Sequence, residues 1–195
     1  VGVVVGTLLG GLAGYFGKWV DTVIVWLYST VQSIPYLLLL IAIAYAIHNI
    51  EGIPKGKIGI YIAFSATFWI GPCRIVRGEV MRLRETEYVQ AAVAMGYGHM
   101  RVFLRHILPN TLHLVLVNFA RLFVGAIKSE VILSYLGLGV VSEPSWGTMI
   151  DQARAELIKG FYWQIGAATV AMFGLVLSFN IFADALQDAL DPRAL

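Results

Sequence analysis

The sequence predicts an all-α membrane protein, and three observations predict it. Hydrophobic residues fill 58% of the 195 positions and charged residues only 13%, where soluble domains run nearer a quarter charged. Mean hydropathy is +0.76. Five stretches approach the length of about 20 mostly apolar residues that a spanning helix needs. A chain this apolar has too little polar surface to cover itself, so lipid must solvate part of it.

The five expected spans follow in order. Residues 1–17 are free of charge and closed by Lys18 and Asp21. Residues 22–50 contain no Asp, Glu, Lys or Arg, and residues 58–73 reach full length with Arg74 and Arg77 at their end. Residues 112–136 carry Arg121, Lys128 and Glu130, and residues 160–183 are again charge-free. The connections are short except 74–109 and 137–159. Lysine and arginine set orientation. Arg74, Arg77, Arg82, Arg84, Arg101 and Arg105 crowd the connection between spans three and four, which is therefore expected in the cytoplasm. Lys18 and Arg193 fall on that side, and Lys55, Lys57, Arg154 and Lys159 on the other. Five spans then put Val1 outside, and the expectation is a further helix before it in a longer subunit.

Within the spans, Gly2, Gly6, Gly10 and Gly14 recur every fourth residue. Such a stripe lets two helix backbones approach closely, within this chain or against a partner, the first being the more general use. Pro35 and Pro72 are expected to kink the second and third spans. Arg121, Lys128 and Glu130 cannot face lipid cheaply. Lys128 and Glu130 either snorkel to the outer water boundary or line a solute path.

The connection after span three changes character. Thr86 can cap a short helix, with Glu87 suiting its positive end, and Gly96 is a natural left-handed stop; Gly98 adds a second hinge point. Ala91 and Ala92 offer a small-residue face for another protein. Met100, Phe103, Leu104 and Ile107 then have the i, i+3, i+4, i+7 spacing of an amphipathic helix. Pro109 is expected to end it, and Asn110 or Thr111 to cap the next span. A helix-turn-helix elbow results. A basic amphipathic helix lying on the inner leaflet explains residues 100–107 but leaves the Glu-x-x-x-Ala-Ala-x-x-x-Gly spacing unexplained. In the outer connection, residues 148–158 place Met149, Ile150, Ala153 and Leu157 on one face, and Phe161-Tyr162-Trp163 forms an interface belt.

Glu87, Ala91, Ala92 and Gly96, followed by Ile107-Leu108-Pro109, resemble the EAA loop of bacterial binding-protein-dependent ABC permeases. Arg105-His106-Ile107-Leu108-Pro109-Asn110 resembles the dipeptide/oligopeptide/nickel branch. So do Gly14-Tyr15-Phe16-Gly17 with Trp19-Val20-Asp21, Arg74 with Val76-Arg77-Gly78, Glu130 with Leu133 to Gly139, Pro144-Ser145-Trp146-Gly147, Phe179-Asn180 and Asp188 to Arg193. The C-type (second permease) subunit fits best. Pro72, Cys73, Ala185 and Gln187 depart from the branch's usual residues.

The resemblance implies a type I ABC importer transmembrane domain over residues 1–195, with a cytoplasmic coupling loop near 78–110, an outer loop near 137–160 and the usual first span missing. It implies a coupling role for Glu87, Ala91, Ala92, Gly96, Ile107, Leu108 and Pro109. Glu130, Lys128, Ser134 and Asn180 become candidates for the translocation path, and Pro144, Ser145, Trp146 and Gly147 for contact with a solute-binding protein. Implied partners are a homologous second permease, two ATP-binding subunits carrying ATP and Mg, an extracytoplasmic solute-binding protein and lipid. The expected location is the inner membrane of a bacterium or archaeon, and short peptides are the expected cargo.

The chain lacks the Gly-x-x-x-x-Gly-Lys-Ser/Thr phosphate loop, so ATP hydrolysis is assigned to partners and no cofactor to this chain. One cysteine, Cys73, excludes an internal disulfide, and a net charge of +2 argues for no nucleic acid. An intramembrane enzyme would want paired carboxylates or histidines at midspan, whereas His48, His99, His106 and His113 fall near loop ends. A secondary transporter would show inverted repeats and need no ATPase.

Overall fold

The computed structural model describes residues 1–50, 57–139 and 144–190. Lys55, Arg193 and the Asp191-Pro192-Arg193 part of the terminal motif lie outside the described residues, which contain helices and no strand. The helices are α1 (Gly2–Phe16), α2 (Lys18–Gln32), α3 (Tyr36–His48), α4 (Lys57–Thr67), α5 (Ile70–Arg84), α6 (Glu87–Ala94), α7 (His99–Val102), α8 (Leu112–Tyr135), α9 (Trp146–Ile158) and α10 (Trp163–Leu190). A π-helical turn, Phe103–Ile107, and a 3-10 turn, Leu108–Thr111, join α7 to α8.

By length and composition three helical runs can cross a membrane: Ile58–Arg84, His99–Tyr135 and Trp163–Leu190. A fourth appears if α2 and α3, broken at Pro35, count as one span. The expected five is not confirmed by this measure, in which α1, an apolar helix of 15 residues, is not counted. Pro35 does more than kink its span: its φ of −53° and ψ of 126° are those of an extended residue ahead of α3. Pro72 does less. The local break lies at Phe68–Trp69, and Pro72 falls in the first turn of α5, where a missing N–H costs little.

The chain forms two compact units. The first holds residues 1–34, 68–119 and 185–195. Its axis is the parallel pair α1 and α5. Gly6, Gly10 and Gly14 lie against the main-chain carbonyls of Trp69, Cys73 and Arg77, themselves four residues apart, and a Cβ at Gly6 or Gly10 would overlap those oxygens. The glycine stripe is therefore a seam inside this chain. Ala13, Ile24, Tyr28, Trp69, Ile70 and Cys73 bring α2 onto the same pair. Farther along, Tyr15, Val76, Val80, Leu83, Val89, Ala92, Val102, Phe103 and Ile107 form a second buried cluster.

The second unit holds residues 35–67 and 120–184. Leu40, Ala44, Ile60, Ala63 and Leu133 pack α3, α4 and α8 together, and the Tyr36 hydroxyl meets Ser129 Oγ at 2.8 Å. In α10 only Ala168 and Ala183 are buried.

Candidate functional site: the elbow between α5 and α8

The elbow is built on a rigid root. Arg77 grips Asp21 with two parallel bonds, Nε to Oδ1 at 2.5 Å and Nη2 to Oδ2 at 2.7 Å. Its neighbour Arg84 donates from Nη1 to the carbonyls of Tyr15 at 3.3 Å and Gly14 at 3.5 Å, which serves carbonyls left unpaired where α1 ends. The arginines that crowd this connection therefore include two that clamp α5 to the α1–α2 turn.

From that root α6 rises as an eight-residue helix. Thr86 stands at its N-cap with extended backbone, but its hydroxyl donates to Leu83 O at 2.5 Å and caps nothing. The expected cap is thus replaced by a bond back to α5. At the other end the expectation holds. Gly96 has φ +82°, Gly96 N donates to Val93 O and Tyr97 N to Ala92 O, the paired bonds of a Schellman stop. Gly98, by contrast, has φ −63° and ψ 143°, backbone that any residue adopts, so it needs no hinge.

Around α6 three arcs differ. Val89 and Ala92 point into the core, exposed by 1% and 2%. This corrects the pairing of Ala91 with Ala92 as one outward face: residues one apart on a helix do not share a side. Glu87, Tyr88, Ala91 and Met95 are exposed, Met95 by 71%. Gln90, Val93 and Ala94 border a cleft.

The second limb departs further from the periodic expectation. Val102, Phe103 and Ile107 are the buried residues, while Met100 and Leu104 stand 53% and 51% exposed. Helical counting assumes 3.6 residues per turn; the π turn at 103–107 widens the spiral and shifts the inward face. Pro109 does not end the helix. His99–Tyr135 runs on as one 37-residue helical element, and the π and 3-10 turns absorb the proline. Asn110 and Thr111 do not cap α8 either. Asn110 Nδ2 donates to His106 O at 2.6 Å and Thr111 Oγ1 to Leu108 O at 2.8 Å, satisfying carbonyls around the irregular turn. Asn110 Nδ2 also reaches the Tyr88 hydroxyl at 3.2 Å, and that hydroxyl donates to His106 O at 3.4 Å. Leu108 is half-buried and Pro109 exposed. Of the proposed coupling residues, Glu87, Ala91, Gly96 and Pro109 are thus exposed, while Ala92 and Ile107 hold the elbow together from within.

The other candidates separate. In the second unit Ser134 Oγ donates to Glu130 Oε1 at 2.5 Å, one turn apart on α8. Glu130 is half-buried, while Lys128 and Asn180 are exposed. Pro144 is exposed too, but Ser145 caps α9 through a reciprocal box with Thr148. Gly147 is buried against α8, where a Cβ would overlap Ser134 and stand 2.9 Å from Val131 O. Ser145 and Gly147 therefore seat α9, which starts at Trp146 rather than at residue 148 and buries Ala153 as expected. Phe161, Tyr162 and Trp163 are all exposed, as an interface belt requires.

Sequence counting missed three partners: the Asp21–Arg77 pair, the Arg84 clamp and the bond from the Tyr15 hydroxyl to His99 Nδ1 at 3.1 Å. Each joins residues 56 or more apart, beyond any local spacing rule.

A helical chain with several membrane-crossing elements and a braced basic elbow between two of them is a multi-pass membrane protein. Residues 6–195 match the family of binding-protein-dependent transport system inner membrane components, and the chain belongs to that family. It is 32% identical over 190 residues to the dipeptide transport system permease protein DppC of Bacillus subtilis, covering 97% of this chain and 58% of that protein. The oligopeptide transport system permease protein OppC of the same organism is 35% identical over 194 residues, with 97% and 60% covered. The glutathione transport system permease protein GsiD of Escherichia coli is 36% identical over 194 residues, with 99% and 62% covered. The chain spans about three-fifths of the length of these relatives, all of them transport system permease proteins.

Proposed function

We propose that this chain forms one permease half of an ATP-driven importer in the inner membrane of a bacterium or archaeon. Short peptides or a related small solute are the cargo. Its partners are a homologous permease, two ATP-hydrolysing subunits and an extracytoplasmic solute-binding protein. The outward arc of α6, with Glu87, Tyr88, Ala91 and Met95, docks on an ATPase subunit. Motion there passes through Val89 and Ala92 into α1 and α5. Glu130, held by Ser134, faces the solute path together with Lys128 and Asn180, and Pro144 and the half-buried Trp146 remain for the solute-binding protein.

The observation that carries this reading is the division of α6: one side is locked into the core and the opposite side is bare. A lever must be fixed to its load and free toward its driver. The test is a pair of substitutions in the assembled transporter. Ala91→Asp is expected to leave the protein inserted and cut solute-stimulated ATP hydrolysis and uptake about tenfold, the effect of some 1.4 kcal/mol lost at a contact. Ala92→Asp puts a charge into the core and is expected to lower the amount of folded protein itself. Full uptake by the Ala91→Asp transporter would sink the docking assignment.

A further inference from the structure

A cleft of about 540 Å³ opens in the first unit between the α1–α2 turn and the inner flank of α6. Lys18, Arg84 and His99 supply its basic wall, Phe16, Val93 and Ala94 its apolar one, and none of its described lining residues is acidic. Two neighbouring carboxylates are occupied. Asp21, on an adjoining cleft that shares Lys18 and Arg84, is held by Arg77. Glu85 pairs with Arg84 at 3.0 Å, whose Nη1 is given to main-chain carbonyls. Among the described residues Lys18 makes no ion pair, and His99 makes one side-chain hydrogen bond, to the Tyr15 hydroxyl. Lys18 is held in place by an unusual backbone, φ +48°, directly after Gly17 at φ +59°. Trp19, beside it, is 74% exposed, as aromatic side chains at a membrane–water boundary are.

We infer that this cleft binds the phosphate headgroup of an anionic glycerophospholipid. A small hydrated anion would satisfy Lys18 and His99 but leave the apolar wall wet. An amphiphile fills both, with its phosphate on the basic side and its glycerol and upper acyl carbons against Phe16, Val93 and Ala94. Basic pockets between helices on the cytoplasmic side of membrane proteins have the chemistry for such headgroups. The occupant would touch the α1–α2 turn and α6 together, and so would stiffen the elbow against its root.

The test reads lipid retention and needs neither uptake nor ATP hydrolysis, so its failure and that of the transport assignment are distinguishable. The protein is extracted with the partners that purify with it, washed in phosphatidylcholine with phosphatidylglycerol, and the retained lipid is counted by native mass spectrometry. The unsubstituted protein is expected to retain phosphatidylglycerol over phosphatidylcholine. Lys18→Asn, which keeps a residue tolerant of positive φ, is expected to weaken that retention about fivefold, the effect of one basic residue near a charged headgroup. Gln90→Glu, on the exposed flank of α6, is expected to weaken it at least as much while leaving the fold intact. Lys159→Asn, at the far end of α9, is the control and should change nothing. Retention by Lys18→Asn and Gln90→Glu undiminished from that of the unsubstituted protein, a loss in Lys159→Asn as large as theirs, or no preference in the unsubstituted protein would each overturn the inference. So would displacement of the lipid by inorganic phosphate as readily as by phosphatidylglycerol, which would mark a free-anion site.

Discussion

Helices α1 and α10 are both apolar, yet they are used in opposite ways. In α1 eight of 15 residues are buried, five of them glycines in contact with neighbouring backbone and side chains. In α10, the most apolar of the three long runs, only 6% of the best stretch is buried, and Val170, Phe173, Ile181 and Phe182 are each more than half exposed. The difference teaches that hydropathy does not choose what packs inside a membrane chain. Lipid tails are as apolar as leucine, so association rests on close approach and on hydrogen bonds. Small residues mark the inner seam; large apolar ones mark surfaces left to lipid or to other subunits.

The largest test of that contrast is a methyl-bearing side chain placed at each kind of glycine. Gly10→Val meets the Cys73 carbonyl, a backbone atom that cannot step aside. It is expected to cost 3 kcal/mol or more, at or above the usual upper range for overpacking (about 1–3 kcal/mol), and to remove most folded protein from the membrane fraction. Gly174→Val, with nothing within 4 Å of its added Cβ, is expected to stay within about 0.5 kcal/mol. Quantifying folded, membrane-embedded protein by fluorescence-detected size exclusion checks both. Equal tolerance would dissolve the distinction.

The glycine stripe is legible in the sequence because its four-residue period is a property of consecutive turns, and the seam on α5 answers in the same period. Gly96 is legible for a similar reason: one residue type and one local conformation decide a helix stop. Residues 99–111 are not legible. The periodic count assumes uniform helix, and a single π turn exchanges Met100 and Leu104 for Val102 on the inner face. Pro109 misleads in the same way, since its clash with the preceding turn can be relieved by widening that turn as well as by stopping. Grouping Ala92 with Ala91 fails because it ignores the 100° between neighbours on a helix. The elbow's ties to α1 and α2 join residues far apart in sequence, and no spacing rule reaches them.

The next contrast is between a half-buried and an exposed ion pair. Arg77 and Asp21 are 25% and 23% exposed and joined in bidentate geometry. Removing one partner leaves the other poorly solvated, so Arg77→Ala is expected to cost about 2–3 kcal/mol. Arg77→Lys should recover only part, since an ammonium cannot reproduce the fork. On α9 the Arg154–Asp151 pair spans 3.6 Å with side chains 60% and 49% exposed, and Arg154 also lies 5.1 Å from the Tyr135 ring, so Arg154→Ala is expected to cost about 1 kcal/mol or less. Thermal unfolding of the detergent-extracted protein compares the three variants, and a larger shift for Arg154→Ala than for Arg77→Ala would reverse the ranking of the two regions.

The smallest expected effect asks whether a single hydroxyl matters more where it ties elements together. Tyr15 Oη meets His99 Nδ1 at 3.1 Å, joining the end of α1 to the start of α7, and the Tyr15 ring lies 5.7 Å from that of Phe103. Tyr15→Phe keeps the ring and deletes the bond, an expected loss of about 1 kcal/mol. Ser178 on α10 donates to Gly174 O of its own helix, a type of bond that competes with the helix rather than adding to it. Ser178→Ala is therefore expected to be neutral or slightly stabilising. Because both changes remove one oxygen, the difference between them isolates connectivity from chemistry. Hydrogen exchange should place the Tyr15→Phe loss in residues 99–107, since that hydroxyl is a polar tie between α1 and the second limb of the elbow.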